Sequence, residues 1–253
     1  MSLLVEKSDG IARITLDRLP VNALTLQLYE DIGDLFEEMA DWSDINVAIL
    51  TGAGNRAFCA GLDLKEFLAA TVEEDPHRAK IVRRTFSAVR HAVIPTIAAV
   101  NGPALGAGCV LSSVCDIRIA ADHATFGLPE INVGRCGATA HMGRHLPQGL
   151  LRQMFFTGEP IDANEAYRVG FVQKVVPASE LMAASMTLAE KIAKKAPLGL
   201  RVGKKALNEV EFMQVEEGYE REQSYSTQLM HTEDAREATR AVVEKRAPVF
   251  QGK

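Results

Sequence analysis

The sequence lacks most of the features that announce a class. Its 253 residues hold only four cysteines, Cys59, Cys109, Cys115 and Cys136. None forms a C-x-x-C pair and no His-rich segment offers a zinc spacing, which argues against a disulfide framework and a structural zinc site. The thiols read as free, in a reducing compartment, and mostly as small buried hydrophobes. The opening "MSLLVEKSDG" lacks a signal-peptide layout, and no uncharged apolar run is long enough to span a bilayer. The expected location is therefore cytoplasmic, with no membrane partner. Positive charge is not in excess either: the net charge is −5. The densest Lys/Arg group, from Lys191 to Lys205, is interleaved with apolar residues, which argues against a nucleic-acid footprint. It leaves two readings, a solvated helix face or a local site for an anionic cofactor. There is no internal repeat, low-complexity tract or flexible linker.

What is present is an ordinary globular composition, 47% apolar and 24% charged, in a chain long enough to bury a large core. "LLVEKSDGIARITLDR" predicts two strands around the turn Asp9-Gly10. Leu24, Leu28, Ile32, Leu35 and Met39 fall at helical spacing, with Thr25 or Asn22 as N-cap. "NVAILTG", "PTIAAVNG" and "IRIAA" are short buried strands, a further one follows through Phe126, and "DLKEFLAA" and "RAKIVRRTFSAVRHAV" are helices. Beyond about Leu150 the pattern is nearly all helical, and only "VQKVVP" looks extended. Strands with crossover helices, then a helical tail, predict an α/β core with a helical C-terminal appendage. The expected division is 1–195 for the core and 196–253 for the helical region. The tail is expected to pack on its own core or on a neighbouring subunit.

Two glycine turns stand out. "TGAGNRAF" has a G-x-G-x-x-A spacing, but no helical period follows it as a dinucleotide loop requires. "NGPALGAGCVLSS" starts a G-x-G and then has Leu111 where the third glycine belongs. No P-loop and no G-x-S-x-G elbow occurs. Both stretches run from a strand through a glycine turn to a helix start. Each turn is expected to free backbone N–H groups at a helix N-terminus. Two such donors converging from separate strands make an oxyanion hole; the alternative is a pair of ordinary tight connections.

Together with "DRLPVNAL", "FCAGLDLKEF", "AAVNGPALGAGCVLSSVCDIRIA", "ATFGLPEINVG", "FFTGEPIDANEAYRVGFVQKVVP" and "EKRAPVFQGK", these stretches resemble the enoyl-CoA hydratase/isomerase (crotonase) superfamily over nearly the whole chain. The resemblance implies a spiral of ββα units and C-terminal helices that build trimers, often paired into hexamers. It implies an acyl-CoA thioester as substrate, an enolate intermediate, and no metal or redox cofactor. By motif position, the oxyanion donors would be the backbone N–H groups of Leu62 and Ala107. Ala60, Asp63 and Leu64 match the adenine pocket of the coenzyme A, and Val21 and Ala23 the stretch beside its pantetheine and phosphates. Phe250 and Lys253 match positions that reach the nucleotide of a neighbouring subunit.

The resemblance also carries a departure. The family's hydratases use two glutamates, one to activate water and one to serve C2. One of these is Glu130, after Pro129. The other position holds Val110, which transfers no proton and reads as a wall of the acyl pocket. Glu130, in an apolar segment, is expected to have a raised proton affinity. The next segment, "NVGRCGATAHMGRH", departs from the family's proline and glycine cluster and should border the acyl tail. There His141 or Cys136 either replaces the missing polar group or has a structural role. A single base predicts Δ3–Δ2 enoyl-CoA isomerisation through a dienolate. The alternatives are hydration with a non-standard second group, hydrolysis or decarboxylation, or a low-turnover thioester-binding protein.

Overall fold

The expected strands pair into two sheets in the computed structural model, which describes residues 2–253. β1 (Leu3–Ser8) and β2 (Ile11–Leu16) form the antiparallel hairpin around Asp9 and Gly10, and both turn residues have positive φ. α1 (Leu26–Glu38) follows, and the Thr25 hydroxyl accepts the Leu28 N–H as its cap. Asn22, the other candidate, does not cap the helix. β3 (Val47–Gly52), α2 (Leu64–Ala69), α3 (Asp75–Arg90) and β4 (Thr96–Val100) complete the first third. Next come β5 (Ala104–Leu105), α4 (Ala107–Val114), β6 (Ile117–Ala121), β7 (Thr125–Gly127), α5 (Thr139–Met142) and α6 (Gln148–Thr157). β8 (Ile161–Asp162), α7 (Ala163–Arg168), β9 (Lys174–Val176) and α8 (Leu181–Ala193) follow. Three helices end the chain, α9 (Pro197–Val210), α10 (Val215–Met230) and α11 (Glu233–Glu244).

The larger sheet has the order β1-β2-β3-β4-β6-β9, parallel from β2 onward. A parallel sheet is covered on both faces, so its strands read as continuous apolar runs. The alternation appears in where each side chain goes. Ala48, Leu50, Ala98, Val100 and Ala120 join one core with α1, α3 and α4. Val47, Ile49, Ile97, Ala99 and Ile119 join the other, under α8. The smaller sheet, β5-β7-β8, is extended by the parallel bridges Cys59↔Ala104 and Leu24↔Leu62. After β3, β4 and β6 the chain crosses from the large sheet to this small layer. That crossing sets the glycine turns side by side.

α9 is tied to the core. Buried Lys204 pairs with Asp116 at 2.8 Å and donates to the Ile94 carbonyl, and Arg201 bonds the Trp42 carbonyl. The basic stripe is therefore partly structural, with its remaining lysines solvated. α9 to α11 also expose Leu207, Phe212, Val215, Tyr219, Val242 and Val243. Among the described residues no helix is long and apolar enough to cross a membrane.

Candidate active site

The two glycine turns meet. In the Leu24↔Leu62 bridge, the Leu24 N–H donates to the Gly61 carbonyl (2.7 Å) and the Asp63 N–H to the Leu24 carbonyl (2.9 Å). Leu62 is the residue between those two bonds, so its own N–H points away from Leu24, as alternate groups of a strand do. On the opposite side is the second turn. A β-carbon placed on Gly61, at φ +93°, would lie 2.8 Å from the Leu105 carbonyl oxygen and 3.5 Å from the Ala107 nitrogen. Gly106, at φ 52° and ψ −119°, turns the chain into α4, and Ala107 is the first helical residue. The first N–H of this turn to bond back along the helix is that of Val110, to Gly106 at 3.0 Å. The Ala107 N–H lies ahead of it, among the donors without an acceptor in the helix, at the positive end of the macrodipole.

One expectation about these turns needs correction. Leu62 is not at a helix N-terminus. Asp63 follows it as the N-cap of α2, and its carboxylate takes the N–H groups of Lys65 and Glu66 at 3.0 and 3.1 Å. The Leu62 donor is oriented by a strand bridge, and only the Ala107 donor by a helix.

Glu130 reaches the same place from the third direction. β7 runs parallel to β5, and the Gly106 N–H donates to the Gly127 carbonyl at 2.9 Å. Three residues later, in the short 3-10 turn Pro129–Val133, the Glu130 carboxylate comes against Gly106. Its Oε1 lies 3.0 Å from where a β-carbon on Gly106 would be. Gly106 thus admits both the turn and the carboxylate. Glu130 Oε2 is sealed from water and has no hydrogen-bond partner among the described residues. Burial holds its proton affinity above the ordinary carboxylate value, and the Glu130 backbone N–H offsets part of this. Val110, one turn into α4, is 2% exposed and packs in the core.

Val21, Ala23, Ala60, Asp63 and Leu64 form one cluster beside Leu62. The Ala60 N–H donates to the Val21 carbonyl at 3.0 Å. Arg18 binds the Ala23 carbonyl (3.1 Å) and the Asp63 carboxylate (2.6 Å), and Leu64 is exposed. The residue that holds this cluster was missed in the sequence. Asn22 is fully buried in the left-handed region, and its amide donates to the carbonyls of Ala53, Ala57 and Phe58. Its left-handed φ, unusual for a residue with a β-carbon, is a property of the fold that spacing does not announce. Phe250 and Lys253 lie elsewhere. The chain end folds onto the start of α11, where the Asp234 carboxylate takes the N–H groups of Gln251 and Gly252, and no hydrogen bond joins this end to residues 60–64 among the described residues.

The segment after Glu130 is exposed from Ile131 to Cys136 and is tied down beyond it. The Arg135 N–H donates to the Glu130 carbonyl, while its guanidinium covers Phe67 and pairs with Asp75 at 2.8 Å. A cavity of about 330 Å³ lies there, lined by Phe67, Asp75, Arg78 and Arg135 among others. Arg144 and Arg90 share Glu211. His145 meets the Ser113 carbonyl at 3.0 Å, and burial lowers its proton affinity to about 4. His141 is half-buried edge-on against Phe86. Cys136 is exposed, unlike the other three cysteines, so the expectation of buried thiols holds for those three.

Comparison with known proteins places this geometry. The family model for enoyl-CoA hydratase/isomerase matches residues 6–253. The chain is 34% identical over 249 residues to a short-chain-enoyl-CoA hydratase of Clostridium acetobutylicum, spanning 97% of this chain and 95% of that one. It is 36% identical over 262 residues to the (E)-benzylidenesuccinyl-CoA hydratase of Thauera aromatica, spanning 100% of both. The crystal structure of enoyl-CoA hydratase from Bacillus anthracis superposes with a TM-score of 0.96 at 34% identity, covering 100% of both chains.

Proposed function

The chain belongs to the enoyl-CoA hydratase/isomerase family of acyl-CoA-processing enzymes, and on that premise we propose that Glu130 is its single proton-transfer carboxylate. The thioester carbonyl is held by the N–H groups of Leu62 and Ala107, and the cluster from Val21 to Leu64 takes the coenzyme A. The observation that carries this reading is the position of Glu130, set against Gly106 beside the second donor, with one oxygen buried and unpartnered.

With a 3-enoyl thioester, Glu130 takes the C2 proton. The C–H electron pair enters the π system, and negative charge develops on the thioester oxygen. Two fixed N–H donors stabilise that dienolate. Loss of one such donor in related chemistry costs roughly 100- to 1,000-fold in rate. Glu130 then returns the proton at C4, which leaves the double bond at C2–C3. One carboxylate completes this isomerisation alone, which suits buried Val110. The reaction needs no metal or redox cofactor. A second reading, hydration of a 2-enoyl thioester, is favoured by the names of the full-length relatives, which are hydratases. Both reactions share the C2 proton step. The apolar side chains exposed on α9 to α11 support a trimer or a pair of trimers, in which Phe250 and Lys253 would reach a neighbour's nucleotide.

A panel of 2-enoyl, 3-enoyl, β-keto and malonyl-type thioesters tests the reaction. We expect turnover of the 3-enoyl substrate, and loss of it in Glu130→Gln with affinity for coenzyme A retained. A Glu130→Gln protein that turns over at the native rate overturns the assignment.

A further inference from the structure

Arg118 is a buried cation that the proton transfer leaves unused. It stands on β6 at 4% exposure. Among the described residues, every hydrogen bond of its guanidinium goes to a backbone carbonyl. Nε donates to Phe171, and Nη1 to Cys115 at 2.8 Å, with Ser112 and Ser113 at 3.4 and 3.5 Å. The Phe171 ring lies against it, 5.0 Å from centroid to guanidinium carbon. The adjacent carboxylate, Asp116, is engaged elsewhere. Its Oδ2 holds Lys204 at 2.8 Å and the N–H and hydroxyl of Thr96 at 2.6 and 2.9 Å. Arg118 takes part in none of the ion pairs among the described residues. Burying a charge without a carboxylate partner is costly, and a neutral side chain here would avoid that cost.

The carbonyls that receive the guanidinium end one helix. Ser112 and Ser113 lie in the last turn of α4, and Cys115 is its C-cap. His145 meets the Ser113 carbonyl as well, but burial holds its proton affinity at about 4, so it is neutral at pH 7. Arg118 is therefore the one cation bonded to this end of the helix among the described residues. Burial lowers its proton affinity only to about 10, which leaves it charged. At the other end of α4 is the Ala107 N–H. Eight residues, at about 1.5 Å each, set the two ends about 12 Å apart. Over so short a helix the negative pole opposes the positive pole at the donor. A cation on the last carbonyls turns roughly half a negative charge into roughly half a positive one.

We infer that Arg118 is a positioning residue for the enolate: bonded to the C-terminal carbonyls of α4, it fixes the helix and cancels the negative pole behind the Ala107 N–H. The inference rests on the oxyanion reading and adds to it a residue remote from the substrate. Arg118 touches no reacting atom and transfers no proton. Its work is done through α4. The attraction of one unit of charge for an enolate oxygen about 12 Å away, at an effective dielectric of about 20, is worth about tenfold in the enolate equilibrium. A guanidinium suits the task, because its fixed fork of donors reaches several carbonyls at once and it keeps its charge when buried. A plain cross-link between β6, α4 and Phe171 needs only the hydrogen bonds. The electrostatic role needs the charge.

The test reads enolate stabilisation directly. Acetoacetyl-CoA, a β-keto thioester, ionises at C2 to an enolate with its own ultraviolet absorbance. Titrating the bound thioester gives the acidity of C2 in the site. We expect the native protein to raise that acidity above its value in water. Arg118→Lys keeps a charge and should stay within about twofold of native, whereas Arg118→Gln keeps hydrogen bonding alone and should lose about three- to tenfold in acidity. Affinity for coenzyme A should be unchanged in both. Equal acidity in the two variants overturns the inference, whatever their melting temperatures. Absence of any enhancement in the native protein instead removes the oxyanion reading, so the two failures are distinct. If the Arg118 variants do not fold, His145 decides. It shares the Ser113 carbonyl with Arg118, so His145→Glu sets a carboxylate beside the guanidinium without removing it. Acidity in His145→Glu should be at least about threefold below that in His145→Gln, and equal acidity overturns the inference.

Discussion

Gly61→Ala is the sharpest test of the proposed oxyanion hole. The added β-carbon meets two separate penalties. The first is local. Gly61 has φ +93°, and a left-handed backbone costs roughly 1–2 kcal/mol for a residue with a β-carbon. The second is a contact. The β-carbon would lie 2.8 Å from the Leu105 carbonyl oxygen, which is backbone and has no rotamer to yield. Relief to an ordinary contact needs a shift of about half an ångström, which costs about 1–3 kcal/mol as overpacking does. That shift falls between the two donors, since Leu62 follows Gly61 and Ala107 lies two residues beyond Leu105. Misplacement by about 1 Å near the chemistry costs up to 100-fold in rate, so a 10- to 100-fold fall in kcat is expected here. Gly170→Ala is the control. Its φ is +82° and nothing lies within 4 Å of the added carbon, so it has the local penalty alone. At about 2–4 °C per kcal/mol, Gly170→Ala should lower Tm by about 2–8 °C at native kcat. Gly61→Ala should lower both Tm and kcat further. Equal Tm losses with native kcat in both variants would refute the argument that Gly61 spaces the donors.

Two further outcomes follow from the same geometry. Glu130 has a raised proton affinity in the fold, so its contribution to stability is present at pH below about 4.5, the ordinary value, and is lost as pH rises through the folded pKa. Glu130→Gln should therefore melt higher than native protein at pH 7, with the gap closing toward pH 4; thermal scans across that range check it, and a gap that widens on acidification contradicts the burial argument. Cys136 alone should react quickly with a thiol reagent in the native state, because Cys59, Cys109 and Cys115 are buried and burial pushes the thiols of Cys59 and Cys115 up to about 12; release of more than one equivalent before unfolding contradicts it.

Most of the core was legible because a parallel sheet covered on both faces leaves continuous apolar runs. "VAIL" and "TIAAV" are buried at every residue, and the glycine turns between them and the helices were visible as punctuation. What escaped has no local signature. α10 lies within the expected helical region but has no separate signal of its own, since among its 16 residues only Gly218 and Tyr225 are buried and its sequence is polar nearly all round. The first donor was expected at a helix start because a helix does follow. Its orientation comes instead from Leu24, 38 positions earlier in the chain, and pairing at that range leaves no trace in spacing. Asn22 was legible as a cap-type residue, yet its amide is used to hold the carbonyls of residues 53–58.

The charges around the proposed site bear on how its work is divided between backbone and side chains. Three guanidiniums near the cleft are engaged by carboxylates: Arg18 with Asp63, Arg78 with Glu66 and Arg135 with Asp75. None of these guanidiniums is committed to Glu130 or to the position of the thioester oxygen. Enolate charge must then be met by backbone N–H groups and by the N-terminal end of α4, whose dipole acts as roughly half a positive charge. These are set by the path of the chain, through the Leu24↔Leu62 bridge and the Gly106 turn, and not by side-chain identity. If the proposed donors are the oxyanion site, Leu62 and Ala107 should tolerate substitution there, whereas Gly61 and Gly106, where an added β-carbon would lie 2.8 Å from the Leu105 carbonyl oxygen and 3.0 Å from Glu130 Oε1, should not. The partition also divides the labour of the reaction. On the proposed reading, the backbone stabilises an enolate common to every thioester, and Glu130 moves the proton at C2.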